Sequence, residues 1–237
     1  MIISLTGFMG CGKSSVGRRL SELLCCRFVD LDAEIEERCG HAVADIFAEC
    51  GEAEFRRIEK ETLKDILETG GRVLEIPKTP ALDLLPQAAR CKGSLDRLPD
   101  RSRPLAGGGM SSPPSSSPAL SSLIKPETFN HTDSDMVLAL GGGAVMTPEC
   151  ERMVHEQTTC IYLKASIDEL VTRLTDEAAG RPLLEASDLH TRILELMLQR
   201  SETYERVAHL TIDTDDKSIG EIAKEIFTTL ILIPPST

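Results

Sequence analysis

Three glycines and a lysine stand near the start of the chain, between an apolar run and a stretch with helical spacing. The segment is GFMGCGKS at residues 7–14, and it fits G-x-x-x-x-G-K-[ST] at every fixed position. Backbone N–H groups that wrap a polyphosphate need bare backbone, because a Cβ would block their approach. The following helix N-terminus adds unsatisfied donors and a positive dipole end. The pattern therefore predicts a phosphate-binding loop, and an ordinary glycine-rich turn is the alternative.

Residues of this loop have separate predicted tasks. Lys13 is expected to reach the β- and γ-phosphates of a nucleoside triphosphate, and the Ser14 hydroxyl is expected to ligate Mg²⁺. The other predicted ATP contacts are Gly10, Cys11, Gly12 and Ser15. The chain is thus predicted to bind a nucleoside triphosphate together with Mg²⁺.

Composition excludes several classes of partner. The net charge is −12, from 38 acidic and 26 basic residues, which argues against nucleic acid because no global positive field attracts phosphates. No apolar run approaches the ~20 residues of a membrane helix, and no basic region precedes the first apolar run as in a signal peptide. The eight cysteines lack C-x-x-C spacing and are interpreted as free thiols. These features predict a cytoplasmic protein without a membrane partner.

Short apolar runs alternate with amphipathic stretches along most of the chain. The predicted strands are 2–6, 27–31, 136–140, 159–163 and 209–212. The predicted helices are 13–25, 32–38, 43–50, 52–68, 149–157, 167–175, 188–207 and 219–230. Strands that alternate with helices favour a parallel sheet with helices on both faces. The prediction is an α/β fold with three α/β/α layers and a five-stranded parallel sheet.

Residues 70–134 differ in amino-acid composition from the rest of the chain. They hold 9 of the 13 prolines and 10 serines, including SSPPSSSPALSS at 111–122. Such a segment cannot bury enough apolar area to offset its ordering entropy. We interpret it as a disordered or loosely packed insertion in a single domain that spans 1–237. The alternative is a small partner-binding module that docks through 74–86.

Beyond the phosphate loop, a series of motifs resembles the shikimate kinase family in order and in content. The runs are GFMGCGKSSVGRRLSELL, FVDLDAEIEERCGHAVADIF, GEAEFRRIE, LALGGGAV, RPLL and LMLQRSETYERVA. The resemblance implies a P-loop NTPase fold of the nucleoside-monophosphate-kinase type. It also implies transfer of the γ-phosphoryl group of ATP to the 3-hydroxyl of shikimate, a step of chorismate and aromatic amino acid biosynthesis. ATP and shikimate are then the expected partners, and a monomer is expected.

Two acids follow the second predicted strand. Asp30 and Asp32 are expected at the carboxyl edge of the sheet, where ligands bind in open α/β folds, and would point the same way if the strand persists. By resemblance, Asp30 supports the Mg²⁺ shell through water, and Asp32 hydrogen-bonds the substrate hydroxyls. Asp32 could also accept the proton, although a loose phosphoryl-transfer transition state needs little help from a base. The alternative for Asp32 is a helix N-cap.

Arginines are the expected receptors for the carboxylate of shikimate, because a guanidinium pairs with a carboxylate in a bidentate way. Arg56 and Arg200 match the family's substrate arginines. Glu59 would orient Arg56 from one turn along the helix. Arg57 is interpreted as a surface charge.

The remaining implied positions lie after the third strand and in the last third of the chain. Gly142, within the triple glycine after that strand, is expected to let backbone amides approach the substrate. A lid at about 176–186 would carry Arg181, which would contact ATP and neutralise charge on the transferring γ-phosphoryl group. Arg173 is a weaker candidate for a nucleotide contact. The turn at 213–217 is where the family holds adenine.

Two other functions stay open at the level of sequence. A different small-molecule kinase of this fold, such as a gluconate kinase, would share the phosphate loop, but the DLD, FRxxE and GGG patterns argue against it. A catalytically silent nucleotide-binding scaffold would use the segment at 70–134 to dock partners, although none of the catalytic positions is lost. Ser15 departs from the threonine that is common there in the family, and we expect no consequence.

Overall fold

Five strands form one parallel sheet within residues 1–69, 135–177 and 186–232, which are the residues that the structure, a computed structural model, describes. The strands are β1 (Ile2–Thr6), β2 (Arg27–Asp30), β3 (Met136–Ala139), β4 (Thr159–Lys164) and β5 (Leu210–Asp213). Their order in the sheet is β2-β3-β1-β4-β5. The predicted five-stranded parallel sheet is therefore confirmed.

Helices connect the strands and cover both faces of the sheet. They are α1 (Lys13–Leu24), α2 (Leu31–Cys39), α3 (Val43–Thr69), α4 (Pro148–Gln157), α5 (Ile167–Glu177), α6 (Ala186–Val207) and α7 (Ile219–Leu232). One core contains apolar residues of α2, α3, α4 and the C-terminal part of α6. The other contains residues of α1, α5, α7 and an earlier part of α6. The predicted three-layer α/β/α arrangement is confirmed.

The middle strands are apolar on both faces because each face is covered. In β3, Met136 and Leu138 belong to one core, whereas Val137 belongs to the other. In β4, Tyr162 faces the first core and Ile161 the second. Such continuous apolar runs are typical of parallel strands buried on both sides.

The register brings the carboxyl ends of all five strands to one edge. Leu5 and Asp30 both lie opposite Ala139, and Lys164 lies opposite Asp213. The loops that follow these strands therefore emerge side by side, as in other open α/β sheets whose ligands bind at that edge. The predicted site residues that the structure describes lie on these loops or on the helices that follow them.

The boundary between β2 and α2 differs from the prediction. The strand ends at Asp30 rather than continuing to residue 31, and Asp32 lies in the first turn of α2. Asp30 Oδ1 accepts hydrogen bonds from the backbone N–H groups of Asp32 at 3.2 Å and Ala33 at 3.5 Å. The N-cap is therefore Asp30, and the N-cap alternative for Asp32 is wrong. The helix starts there because the Asp30 carboxylate satisfies two of its orphan donors.

Helix α3 is divided at Gly51, whose φ of 78° and ψ of 171° are not helical. The division agrees with the two predicted helices at 43–50 and 52–68. It sets the direction of the second half, which carries Arg56 and Glu59 toward the sheet edge.

Other predictions fall on parts of the chain outside the described residues. These are the insertion at 70–134 and the centre of the lid with Arg181. Among the described cysteines, the adjacent Cys25 and Cys26 are free thiols, as predicted. In the part of the chain that the structure describes, no helix combines the length and the apolar character required to cross a lipid bilayer.

Candidate active site

The phosphate loop joins β1 to α1 and owes its shape to left-handed backbone. Gly10 has a φ of 78° and Gly12 a φ of 90°. A Cβ on Gly12 would meet only Val16 Cγ2 at 3.8 Å, so space is not what requires glycine there. The requirement is conformational, because L side chains rarely adopt this φ. Gly12 is also the N-cap of α1, so the loop ends on helix N–H donors.

Lys13 reaches back across the loop. Its Nζ donates to the carbonyl oxygens of Gly7 at 3.0 Å and Phe8 at 2.9 Å. The ammonium group is therefore held over the mouth of the loop. Cys11 is buried, so this predicted ATP contact can act only through its backbone. Ser15 is exposed in the first turn of α1.

The two predicted metal-binding residues contact each other. Ser14 Oγ donates to Asp30 Oδ2 at 2.6 Å, while the other oxygen of Asp30 caps α2. A hydroxyl and a carboxylate are hard oxygen donors, which suit Mg²⁺, and this ion commonly takes only one or two protein ligands beside substrate phosphates. The donor set therefore fits Mg²⁺.

The glycine loop, Gly141–Gly143, follows β3 and lies against three parts of the site. A Cβ on Gly141 would stand 2.6 Å from Asp32 Oδ1, and one on Gly143 would stand 2.5 Å from Arg56 Nη2. Gly142 faces the phosphate loop, where an added Cβ would lie 3.4 Å from the Met9 backbone nitrogen. Glycine is therefore required in this loop, because a side chain on Gly141 or Gly143 would occupy the space of the Asp32 carboxylate or the Arg56 guanidinium.

Arg56 is held by a buried carboxylate. Arg56 Nη1 lies 2.7 Å from Glu59 Oε2, and the Glu59 side chain is only 2% exposed while that of Arg56 is 20% exposed. Burial raises the pKa of Glu59, and Asp32 adds to this effect, whereas Arg56 and Arg200 oppose it. The predicted ion pair is present and leaves Arg56 partly accessible at the cleft. Arg57, in contrast, is exposed and pairs on the surface, as predicted.

Asp32 stands in the field of several charges. Burial is the main cause that raises its pKa, and Asp30 raises it further. Lys13 and Arg56 act in the opposite direction. The carboxylate therefore lies near both Lys13 and Arg56, and its raised pKa makes it a better proton acceptor.

Arg200 reaches the same cluster from α6, and it does so beside a tyrosine that the sequence did not single out. Its guanidinium opposes the burial that raises the pKa of Tyr204 and the pKa of Glu59, so it lies close to both groups. The Tyr204 hydroxyl donates to the carbonyl oxygen of Gly142. The available signal was the i,i+4 spacing of Arg200 and Tyr204, which places them on one helix face.

Comparison with known proteins decides the family. The sequence model of the shikimate kinase family matches residues 9–76 and 126–231, which is more than half of the chain. The chain belongs to the shikimate kinase family. The unmatched residues 77–125 fall within the region predicted as an insertion, which itself stays a prediction.

Relatives that are themselves shikimate kinases align over almost the whole chain. The shikimate kinase of Mycobacterium bovis is 30% identical over 232 residues, covering 98% of this chain and 94% of the relative. That of Bordetella avium is 30% identical over 94% of this chain and 76% of the relative. That of Chlorobium chlorochromatii is 29% identical over 95% of this chain and 88% of the relative.

Solved structures of shikimate kinases share the fold. The enzyme from Acinetobacter baumannii, in complex with shikimate, has a TM-score of 0.64 at 23% identity and covers 97% of this chain and 92% of that one. The enzyme from Bacteroides thetaiotaomicron has a TM-score of 0.65 at 21% identity, with coverages of 98% and 99%. These likenesses support the P-loop kinase fold.

At the far side of this shikimate kinase site, Arg173 anchors the turn that follows β5. Its Nη2 donates to the Thr214 carbonyl oxygen at 3.0 Å, and its Nε donates to Glu169 Oε1 at 2.8 Å. Asp215 in the same turn accepts from the Ser166 backbone N–H at 2.9 Å. Arg173 therefore ties α5 to the predicted adenine turn. Its contact with the nucleotide stays a prediction.

Proposed function

We propose that this kinase transfers the γ-phosphoryl group of ATP to the 3-hydroxyl of shikimate, giving shikimate 3-phosphate and ADP. The observation that carries the proposal is the glycine loop, which touches the phosphate loop on one side and Asp32 and Arg56 on the other. The triphosphate and shikimate would therefore bind on opposite sides of the glycine loop, close to each other. The product feeds chorismate and aromatic amino acid biosynthesis.

The phosphate end would act through backbone donors and one ammonium group. Gly10, Gly12 and the first turn of α1 present N–H groups to the phosphates, and Lys13 exchanges its contacts with loop carbonyls for phosphate oxygens. Ser14 and Asp30 would hold Mg²⁺. When bound, that ion neutralises charge on the β- and γ-phosphates.

The acceptor end would act through arginines. Arg56 and Arg200 bind the carboxylate of shikimate, and each charge-assisted hydrogen bond contributes roughly 1.5–3 kcal/mol. Glu59 keeps Arg56 oriented, so little side-chain freedom is lost when the substrate arrives. The Gly142 backbone then contacts the ring from the side of the phosphate loop.

Asp32 would orient the attacking hydroxyl and take its proton. Its carboxylate lies against Gly141 of the glycine loop and within the field of Lys13 and Arg56, which supports a role as the proton acceptor. In a loose phosphoryl-transfer transition state most of the catalysis comes from positioning and electrostatic stabilisation, so the proton transfer contributes less than Lys13 does. Arg181 as an ATP contact, the monomeric state and the cytoplasmic location stay predictions.

A coupled assay of ADP release tests the function. With ATP and Mg²⁺ present, ADP should appear rapidly when shikimate is added and only slowly without it, and ³¹P NMR of the product should show a phosphate ester at the 3-position. Gluconate serves as the competing acceptor. Turnover of gluconate but not of shikimate would overturn the proposal, as would ADP release that no acceptor stimulates.

A further inference from the structure

Tyr204 is a fully buried tyrosine of α6 whose hydroxyl lies under the proposed substrate site. Its side chain is 0% exposed, and its ring stacks on that of Tyr162 with centroids 5.4 Å apart. Both rings belong to the core between the sheet and α6. A phenylalanine would fill the same apolar space, so packing alone does not explain the hydroxyl group.

The hydroxyl links two groups that the proposed function uses separately. The Tyr204 O–H donates to the Gly142 carbonyl, and the Arg200 guanidinium, which is donor-only, lies close to the Tyr204 oxygen from the same face of α6. The contacts therefore run from Arg200 through Tyr204 to Gly142. Gly142 and Tyr204 are 62 residues apart in sequence, so the link joins the glycine loop to α6.

The link also orients a backbone donor. Because the peptide unit is planar and trans, a Gly142 carbonyl that points to the buried Tyr204 directs the next N–H, that of Gly143, the opposite way. This direction is opposite to that of the Tyr204 hydroxyl, and Arg56 lies close to the same glycine. A glycine loop has little conformational preference of its own, so an external hydrogen bond is needed to select one peptide orientation.

We propose that Tyr204 is a positioning residue that holds the Arg200 guanidinium and the glycine loop in the orientation needed to bind shikimate. The inference rests on the proposed function, because it assigns Arg200 and Gly142 to the acceptor. Burial also raises the pKa of Tyr204 to about 12, so its hydroxyl keeps the proton that it donates to Gly142 at any neutral pH.

The chain offers a matched control in the neighbouring tyrosine. Tyr162 is also buried, and its ring stacks on that of Tyr204, but its hydroxyl makes no hydrogen bond to a described residue. Tyr204→Phe and Tyr162→Phe therefore remove the same atom from the same core. Only the first removes the link between Arg200 and Gly142.

Steady-state kinetics with each substrate varied in turn is the test. We expect Y204F to raise KM for shikimate about three- to tenfold, the loss typical of one hydrogen bond, and to leave KM for ATP within about twofold. Y162F should leave both KM values unchanged. In an Arg200→Lys background, Y204F should lose less than in the wild type, since coupled residues are not additive. Melting curves of each variant verify that the protein is folded at the assay temperature.

The outcomes separate two kinds of failure. A wild-type protein that does not turn over shikimate overturns the proposed function and this inference with it. An active wild type in which Y204F equals Y162F, or raises both KM values alike, overturns the inference alone. Full additivity of Y204F and R200K would likewise contradict the link.

Discussion

The phosphate end and the acceptor end of the site are built in different ways. The phosphate end comes from consecutive residues, 7–14, whose backbone carries the function. The acceptor end comes from α2, α3, the glycine loop and α6, and depends on side chains with buried partners such as Glu59 and Tyr204. A loop that works through its backbone needs few supporting residues. A cluster of charged side chains must be oriented by other groups, so its properties depend on the packing around it.

The largest effect should come from Lys13→Ala at the phosphate end. Electrostatic stabilisation at the phosphates is the main catalytic term, so kcat should fall by about 10²–10³-fold. The free energy of unfolding should change little, because the described contacts of the Lys13 ammonium are with two carbonyl oxygens and the Cys11 thiol of its own loop. Kinetic assays and urea denaturation measure the two quantities. Unchanged turnover would remove Lys13 from the mechanism.

Arg56→Ala should weaken the binding of shikimate but not that of ATP, and Arg57→Ala is its control. The loss of one charge-assisted contact should lower kcat/KM for shikimate about ten- to a hundredfold, with KM for ATP nearly unchanged. Arg57 has its ion pairs on the surface, so R57A should behave like the wild type. An equal loss for both substrates in R56A would contradict its assignment as a carboxylate receptor.

Gly143→Ala should affect the acceptor end but not the phosphate end, because the added methyl group fills space only beside Arg56. The new Cβ would stand 2.5 Å from Arg56 Nη2, so the guanidinium must move, and KM for shikimate should rise about tenfold. Gly220→Ala is the control, since nothing lies within 4 Å of a Cβ there. G220A should leave kinetics unchanged and the fold at least as stable. A G143A enzyme with normal KM would show that Arg56 binds elsewhere.

The smallest effect concerns the pH dependence of stability at Glu59. Burial raises its pKa above the ordinary value of about 4.3, so its contribution to stability is fully present below that value. That contribution is lost as the pH rises through the raised, folded-state pKa. Because Gln does not titrate, the free energy of unfolding of Glu59→Gln relative to the wild type should increase as the pH rises from about 4 to 7.

Glu54 provides the opposite sign on the same helix. The hydrogen bond from Arg57 lowers the pKa of Glu54, so its stabilising contribution is present above the ordinary value and lost as the pH falls through the lowered one. Glu54→Gln should therefore lose stability relative to the wild type as the pH rises through that window. Urea denaturation at several pH values measures both trends. Parallel trends in the two variants would show that burial does not govern Glu59.

Much of the fold followed from local pattern. Alternating apolar runs and amphipathic stretches predicted each strand and each α-helix of the described residues, and β1 has the predicted bounds. The error at the end of β2 arose because RFVDL reads as a continuous run, whereas the structure uses Asp30 to cap α2. Capping is a competition between strand and helix for the same backbone groups, and the sequence pattern does not show which one prevails.

The sequence by itself determined the phosphate loop, because its glycines, lysine and serine act on neighbours within a few residues. It also carried the motifs that place the chain in the shikimate kinase family. Only the tertiary structure decided that the glycine loop lies against both Asp32 and Arg56, and that Tyr204 joins Arg200 to Gly142. These contacts join distant segments, so they depend on sheet order and helix packing, which act over distances that no local pattern encodes.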